Sequence, residues 1–483
     1  MKMPSPPSYR SPFRRFLALC GPQRSQILLG ILLVLAATAL TLPVPWILKL
    51  LIDRVLPTRD LRLLAQLLAV FAALSAFRAA FTFARNRILQ YASMRLVCDL
   101  RIRTFAHLQT LGLRYFDGRQ TGETASRISQ DCAEIYNLTN GFLINLVADS
   151  VTLVGVIGFL NFIHWRLALV ASAVLPLLVL NYLQQRKSLR EEAMIHRQNW
   201  DSVVGFLHEK LSATRVIRAF VQERSEVSTF TGQIDADYYN FSRVIMRNTK
   251  LSVMADLLGS LGTLLVLAYG SWLVMSEQMA VGTLVAFSSY IAFVFPPLVR
   301  LADLNSIFQR SMAGLENVFR LLDTAPEVTD SAGAEILASV RGDVEFRHVS
   351  FDYTLEAPGA GRPRTLTDVS FAVPAGQVVA IVGPSGSGKS TIINLIARFY
   401  DPAEGQVLVD GRDIREFQMD SYRAQIGIVL QDNVLFSGTL EDNLRYGRPE
   451  ATRAEVVAAA QAANAHEFIL GLPLDYLAVV GER

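Results

Sequence analysis

Residues 377–400 read QVVAIV-GPSGSGKS-TIINLIARFY, and the rest of the chain is interpreted outward from them. The first six are the apolar run of a buried strand. The next eight, Gly383 to Ser390, fit G-x-x-x-x-G-K-[ST]. Residues 390–400 then carry apolar side chains at helical spacing. A random chain of this length matches the eight-residue pattern only about one time in fifty, so chance is a poor explanation even before the flanking strand and helix are counted. Gly383, Gly386 and Gly388 let the backbone turn its N–H groups inward around phosphate oxygens, with Pro384, Ser385 and Ser387 completing the loop. Thr391 lies in the first turn of the helix, whose N-terminus adds the positive end of its dipole. In this pattern Lys389 reaches the β- and γ-phosphates and the Ser390 hydroxyl ligates Mg²⁺. The loop identifies a nucleoside triphosphate as ligand without separating hydrolase from kinase.

Composition sets the surroundings. Hydrophobic residues make up 51% of the 483 and charged residues 18%. A soluble chain carries about 25% charged residues, so a wholly soluble protein is excluded, and so is a disordered one. The net charge of +3 gives no reason to expect a nucleic-acid partner. Cys20, Cys98 and Cys132 lie far apart, with no paired spacing for a disulfide scaffold or a zinc cluster.

The apolar residues are concentrated before the loop. Six runs, 27–51, 63–83, 142–164, 167–183, 254–275 and 281–298, have the length needed to cross ~30 Å of hydrocarbon. Lys2, Arg10, Arg14, Arg15 and Arg24, with no acid among them, place the N-terminus in the cytoplasm. Spans one and two, three and four, and five and six are joined closely. Long segments rich in Arg and Glu separate spans two and three, and four and five. Leu96, Leu100, Ile102 and Phe105 read as a helix running far into the cytoplasm, from Leu61 to about Thr110. Ser11 and the residues after it (SPFRRFLAL) suit an amphipathic entry helix. The expected organisation is a cytoplasmic N-terminus at 1–25, a six-span domain at 26–322, a linker at 323–342 and a nucleotide domain at 343–483. The fold class is a helical six-span membrane domain followed by a partial α/β domain.

Further motifs carry a family resemblance. Residues 349–353 (VSFDY) precede the loop, 405–411 (GQVLVDG) follow it, and 429–432 (VLQD) lead into 435–439 (LFSGT). In the long cytoplasmic segments stand Phe116, Asp117, Gly122, Ser126, Arg127 and Asp131, then Val216, Arg218, Phe220 and Glu223. Together with the order of the two domains, these resemble an ATP-binding cassette (ABC) exporter half-transporter of the lipid or multidrug type. The resemblance implies ATP and Mg²⁺ as cofactors and Tyr353 stacked on adenine. It implies Gln431 touching Mg²⁺ and the attacking water. It also implies that Phe116, Gly122, Arg127, Arg218 and Phe220 dock the membrane domain on the cassette. A second half-transporter, membrane lipid and a lipid or amphipathic small-molecule substrate are the implied partners. The implied place is a cell membrane of the bacterial inner type, with N-terminus and cassette cytoplasmic. The family's LSGGQ signature, its Walker B aspartate, the adjacent catalytic glutamate and the switch histidine do not occur in the 483 residues. The expectation is therefore a chain roughly 100 residues short of a whole cassette domain, which binds ATP–Mg without hydrolysing it alone. The alternative is a regulatory membrane subunit that binds ATP without turnover.

Charged residues within apolar spans are costly and functional by default. Arg78, Asp149, Asp256 and Arg300 stand out. Arg78 and Asp149 are expected at similar depth, able to pair across helices or face a cavity. Arg78 with Arg300 would suit an anionic head group, because guanidinium groups fork onto phosphate. Arg78, Asp149 and Arg300 are the candidate substrate residues.

Overall fold

The computed structural model describes residues 12–117, 121–353, 364–431 and 434–481. Lys2, Arg10, Ser11, Asp432 and the last two residues lie outside that set. The chain divides into two compact units, Met1–Glu327 and Val328–Arg483.

The first unit is helical. It opens with α1 (Pro12–Leu19), then α2 (Arg24–Ala39) and α3 (Pro43–Leu50). The first apolar run is thus broken at residues 40–42, where Pro43 and Pro45 start a new helix. Arg59 in the left-handed region (φ 53°) stops the ladder. Asp60 then starts α4 (Leu61–Thr110), its carboxylate accepting from the N–H groups of Arg62 and Leu63 at 2.9 and 3.1 Å. At 1.5 Å per residue α4 is ~75 Å long. Its two halves have different surroundings. Leu68, Val70, Phe71, Phe77 and Phe83 are exposed, as lipid-facing residues are, whereas Leu89, Ala92, Leu96, Leu100, Thr104 and Leu108 form a buried stripe. Leu96 and Leu100 belong to that stripe, but Ile102 and Phe105 lie on the exposed face. Gly30 sits against Leu89, where a Cβ would come within 2.2 Å of the leucine side chain.

After the short helices α5 (Leu113–Asp117) and α6 (Thr121–Ser126), the third and fourth apolar runs share α7 (Ile144–Ser172), in which His164 alone leaves helical geometry (φ −159°, ψ 93°). Its ring Nδ1 accepts from the Leu167 N–H at 3.2 Å and so starts the next helix. After a turn at 173–174, α8 (Leu175–Ser212), α9 (Thr214–Ala219) and α10 (Glu223–Met275) form a long two-helix arm with α9 between them. Glu192 ties α8 to Arg243 and Arg247 of α10 at 3.3 and 3.2 Å, and His196 meets Asp237 at 3.0 Å. The sixth run breaks as well. It comprises α11 (Val281–Ala292) and the start of α12 (Phe295–Leu322), whose first turn holds Pro296 and Pro297. Among the described residues, five helical stretches are long and apolar enough to span a membrane, the longest of them, residues 127–212, containing two of the six runs.

Two side-chain bonds join the broken first span to α11. The buried Tyr290 hydroxyl of α11 donates to the Leu42 carbonyl at the break before α3. The Asp53 carboxylate, just after α3, accepts from the Gly282 N–H at 2.7 Å. Elsewhere Asp149 of α7, 3% exposed, pairs with Arg300 of α12, whose Nη2 and Nε lie 2.6 and 3.0 Å from its oxygens. Of the two alternatives for Arg78 and Asp149, the first, pairing with each other across helices, is not what the structure shows. Arg300 fills that role, and Arg78 is exposed with no partner among the described residues.

The second unit holds an antiparallel sheet in the order β2-β1-β3-β4, formed by β1 (Val344–Phe351), β2 (Leu366–Val373), β3 (Glu404–Val409) and β4 (Arg412–Asp413). Asp410 and Gly411, both at positive φ, make the β3–β4 hairpin turn. One helix, α13 (Lys389–Ile396), packs Ile392 and Leu395 against Phe346, Phe351, Val407 and Tyr400. One expectation fails here. Residues 377–382 are not a buried strand: they pair with no strand among the described residues, and Val378 and Val382 are exposed. A central strand needs neighbours on both edges to satisfy its N–H and C=O groups, and here it has none. The same holds for 426–430, with Val429 and Leu430 exposed.

The buried pair makes a testable asymmetry. Removing Arg300 leaves a buried, unpaired carboxylate, which costs about 3–5 kcal/mol where it cannot be resolvated. Removing Asp149 leaves a half-exposed guanidinium that can turn to solvent. Arg300→Ala should lower the melting temperature in detergent more than Asp149→Ala does, and the double variant should recover part of the loss.

Candidate nucleotide site

The phosphate loop is folded as its glycines require. Gly386 and Gly388 take φ of +81° and +88°, values that L side chains adopt only with strain. Gly383 is tight for another reason: a Cβ there would lie 2.7 Å from the Ser387 hydroxyl. Ser387 N–H bonds the Pro384 carbonyl at 3.2 Å and closes the turn. Gly388 is the N-cap of α13, so Lys389, Ser390 and Thr391 form its first turn. Pro384, Ser385, Gly386 and Ser387 are exposed, and so is Ser390. The Lys389 ammonium folds back over the loop and donates to the carbonyls of Gly383 and Pro384 at 3.0 and 2.8 Å. The cradle is preformed, and its cation sits on the rim where phosphate charge would be met.

The far end of α13 is also held. The Tyr422 hydroxyl donates to the Ile396 carbonyl at 2.6 Å, and the Arg423 guanidinium to the carbonyls of Ala397 and Arg398 at 3.2 and 2.6 Å. A cation at the negative end of the helix dipole complements the anion site at the other end. Burial pushes the Tyr422 phenol up to about 12, against the opposite pull of Arg398 and Arg423. These supports carry no motif, and the sequence reading missed them.

Tyr353 is brought to this helix. Its hydroxyl lies 3.1 Å from the Thr391 hydroxyl and accepts from the Asn394 amide at 3.4 Å. Its ring stands edge-to-face with Phe351 and Tyr400, at centroid distances of 5.0 and 5.2 Å. The aromatic residue expected to meet the base is thus fastened to the helix that begins at the phosphates. Gln431 lies on an exposed bend, and no hydrogen bond of its side chain is among the described contacts. Ser390 and Gln431 offer a hydroxyl and an amide oxygen, hard donors that suit Mg²⁺. Among the described residues no cluster of three His, Cys, Asp or Glu offers another metal site.

The other candidate residues are spread over the first unit. Phe116 is on the short helix α5 (Leu113–Asp117), Gly122 is exposed in open space, and Arg127 begins a π-helical turn. Arg218 and Phe220 are exposed at the turn of the α8–α10 arm.

An apolar helical bundle and a preformed triphosphate cradle in one chain define a nucleotide-binding integral membrane protein. Residues 27–298 match the family described as the ABC transporter transmembrane region, and residues 366–477 the one described as ABC transporter. The chain belongs to the ABC transporters, as an exporter half-transporter with its ATPase domain. It is 33% identical over 471 residues to an uncharacterized ABC transporter ATP-binding protein, YknV, of Bacillus subtilis, covering 97% of this chain and 77% of the relative. It is 31% identical over 470 residues to an ATP-dependent lipid A-core flippase of Syntrophus aciditrophicus, with the same two coverages. It is 33% identical over 480 residues to YgaD, a putative multidrug export ATP-binding/permease protein of Bacillus subtilis, covering 97% and 81%.

The loop geometry separates two glycines. Gly386 has open space for a Cβ, whereas at Gly388 a Cβ would lie 2.6 Å from Leu366 Cδ2 and 3.2 Å from the Thr365 carbonyl. Gly386→Ala adds only backbone strain, of order 1 kcal/mol. Gly388→Ala adds strain, a clash with the Leu366 side chain and a tight contact with the Thr365 carbonyl. Photolabelling with azido-ATP should fall several-fold in the first variant and vanish in the second.

Proposed function

We propose that this chain is one half of a dimeric exporter that uses ATP to move a lipid or an amphipathic, drug-like molecule out across a cell membrane of the bacterial inner type. The carrying observation is the folded cradle of 383–391, with Lys389 on its rim, in the same polypeptide as a six-run apolar bundle. The cargo class draws support from two relatives, one named as a lipid A-core flippase and one as a putative multidrug exporter. The proposed organisation keeps the boundaries 1–25, 26–322, 323–342 and 343–483, with N-terminus and cassette in the cytoplasm. No nucleic acid is involved.

The residues have distinct tasks in this reading. Backbone N–H groups of the loop and Lys389 bind the phosphates, and Tyr353 receives the adenine. Ser390 and Gln431 would hold Mg²⁺, which supplies charge neutralisation on the phosphates. Phe116, Gly122, Arg127, Arg218 and Phe220 dock on the cassettes of the dimer. Dimerisation is supported by the α8–α10 arm, which exposes Trp200, Leu211, Phe220, Tyr238 and Met246 beyond its lipid-facing stretch. Such a surface calls for a protein partner. Arg78 and Arg300 receive an anionic head group, with Asp149 holding Arg300 in place. Water attack needs a group that positions or activates water, and the 483 residues lack the family's glutamate for it, so they should bind ATP with negligible turnover.

Three measurements test this. Azido-ATP should label the chain in detergent, and Lys389→Ala should reduce labelling at least tenfold. Proteoliposomes of the natural full-length polypeptide should export a fluorescent lipid or dye when ATP is added, and Arg78→Ala should slow anionic lipid more than neutral dye. Residues 1–483 alone should release phosphate no faster than buffer. Labelling without ATP-driven export in any full-length preparation would favour a regulatory subunit instead.

A further inference from the structure

The exit of the last membrane helix is fastened from three directions inside the first unit. Helix α12 ends at Leu322, and the chain leaves the unit after Glu327. From α1, Arg15 donates both terminal nitrogens to the two oxygens of Asp323, at 2.5 and 2.8 Å. Its guanidinium also lies 4.1 Å from the centre of the Phe319 ring. Beneath it Phe16 is fully buried among Leu315, Val318 and Phe319. From the end of α4, the His107 ring is 3.0 Å from the Thr324 carbonyl and donates through Nε2. Leu108 and Leu111 pack there on Leu321. From α5, Arg114 pairs with Glu327 at 3.0 Å.

These contacts are not what core packing alone would produce. The three polar contacts fall on residues 323, 324 and 327, beyond the end of α12. Each comes from an element distant in sequence. A chain exit left free would behave as a flexible tether and absorb a displacement applied to its far end. A bidentate guanidinium–carboxylate pair fixes orientation as well as distance.

We infer that Arg15, His107 and Arg114 are positioning residues that clamp the exit of the last membrane helix. Through them a pull on Glu327 from the cassette side of the chain reaches the N-terminal helix and the far end of α4 together. This rests on the ATP-driven reading above. The clamp makes α1 part of the transmission rather than a passive membrane anchor. It also gives the coupling between hydrolysis and transport a route through the connecting chain itself.

Charge reversal tests it in the full-length natural polypeptide reconstituted in proteoliposomes. The readout is molecules exported per ATP hydrolysed, with basal ATPase and melting temperature measured beside it. Arg15→Glu and Asp323→Arg should each lower export per ATP at least fivefold while basal ATPase stays within twofold. The double reversal should restore the ratio to within twofold of wild type. Arg15→Gln and Arg114→Gln together provide the milder test if a reversal does not fold, with the same expected loss. An unchanged ratio in correctly folded variants overturns the clamp. So does a loss that the double reversal fails to repair. Azido-ATP labelling of the wild type is the control: its failure defeats the nucleotide reading, whereas normal labelling with an unchanged ratio defeats the clamp alone.

Discussion

A peptide group in hydrocarbon has no water to bond, so its partner must come from the protein. The membrane unit is organised around that constraint. Uninterrupted spans meet it within the helix. The interrupted ones meet it at two named places, where Tyr290 serves the Leu42 carbonyl and Asp53 serves the Gly282 N–H. Those two bonds join α3 to α11, and each lies beside a break that proline or a helix start creates. The break in the first span and the start of α11 are therefore each satisfied by a side chain of the other. Pro43 permits the break in the first span, and Tyr290 of α11 makes it tolerable.

The same accounting explains the second unit. Where β1, β2 and β3 exchange bonds, Phe346, Phe351 and Val407 are buried. Where residues 377–382 and 426–430 lack a neighbour, equally apolar side chains stand exposed. Apolar content alone does not bury a strand, because the ladder has to be completed first. The phosphate loop keeps its shape in spite of this. Its conformation is set by Gly386, Gly388 and the start of α13, and the other end of that helix is gripped by Tyr422 and Arg423. A site that depends on local turns and one supported helix tolerates an unpaired strand beside it.

Charge shows a parallel division of labour. Asp149 and Arg300 were both legible as costly residues in apolar runs, and each was a candidate for cargo. Their pairing makes Asp149 the partner that orients Arg300, which leaves Arg78 as the cation of the three with no partner among the described residues. The N-terminal helix shows the opposite case. Its mixture of Arg with Phe suggested a helix lying on lipid. Phe16 also enters the protein, and Arg15 holds Asp323.

Several features could be read from the amino-acid order because their causes are local or periodic. The length of an apolar run, the glycine spacing of a phosphate loop, the Asp410–Gly411 turn and the helical reach of α4 each need only neighbours in the chain. Contacts between distant residues were decided by the tertiary structure. Arg15 with Asp323, Tyr290 with Leu42, Asp149 with Arg300 and Tyr353 with Thr391 each join residues at least 38 positions apart. No periodicity encodes such a meeting. Which face of α4 is buried beyond Leu89, and so why Leu100 is covered while Ile102 is not, depends on what packs beside it. Local chemistry determined what each segment can be, and packing decided which partner each exposed or charged side chain found.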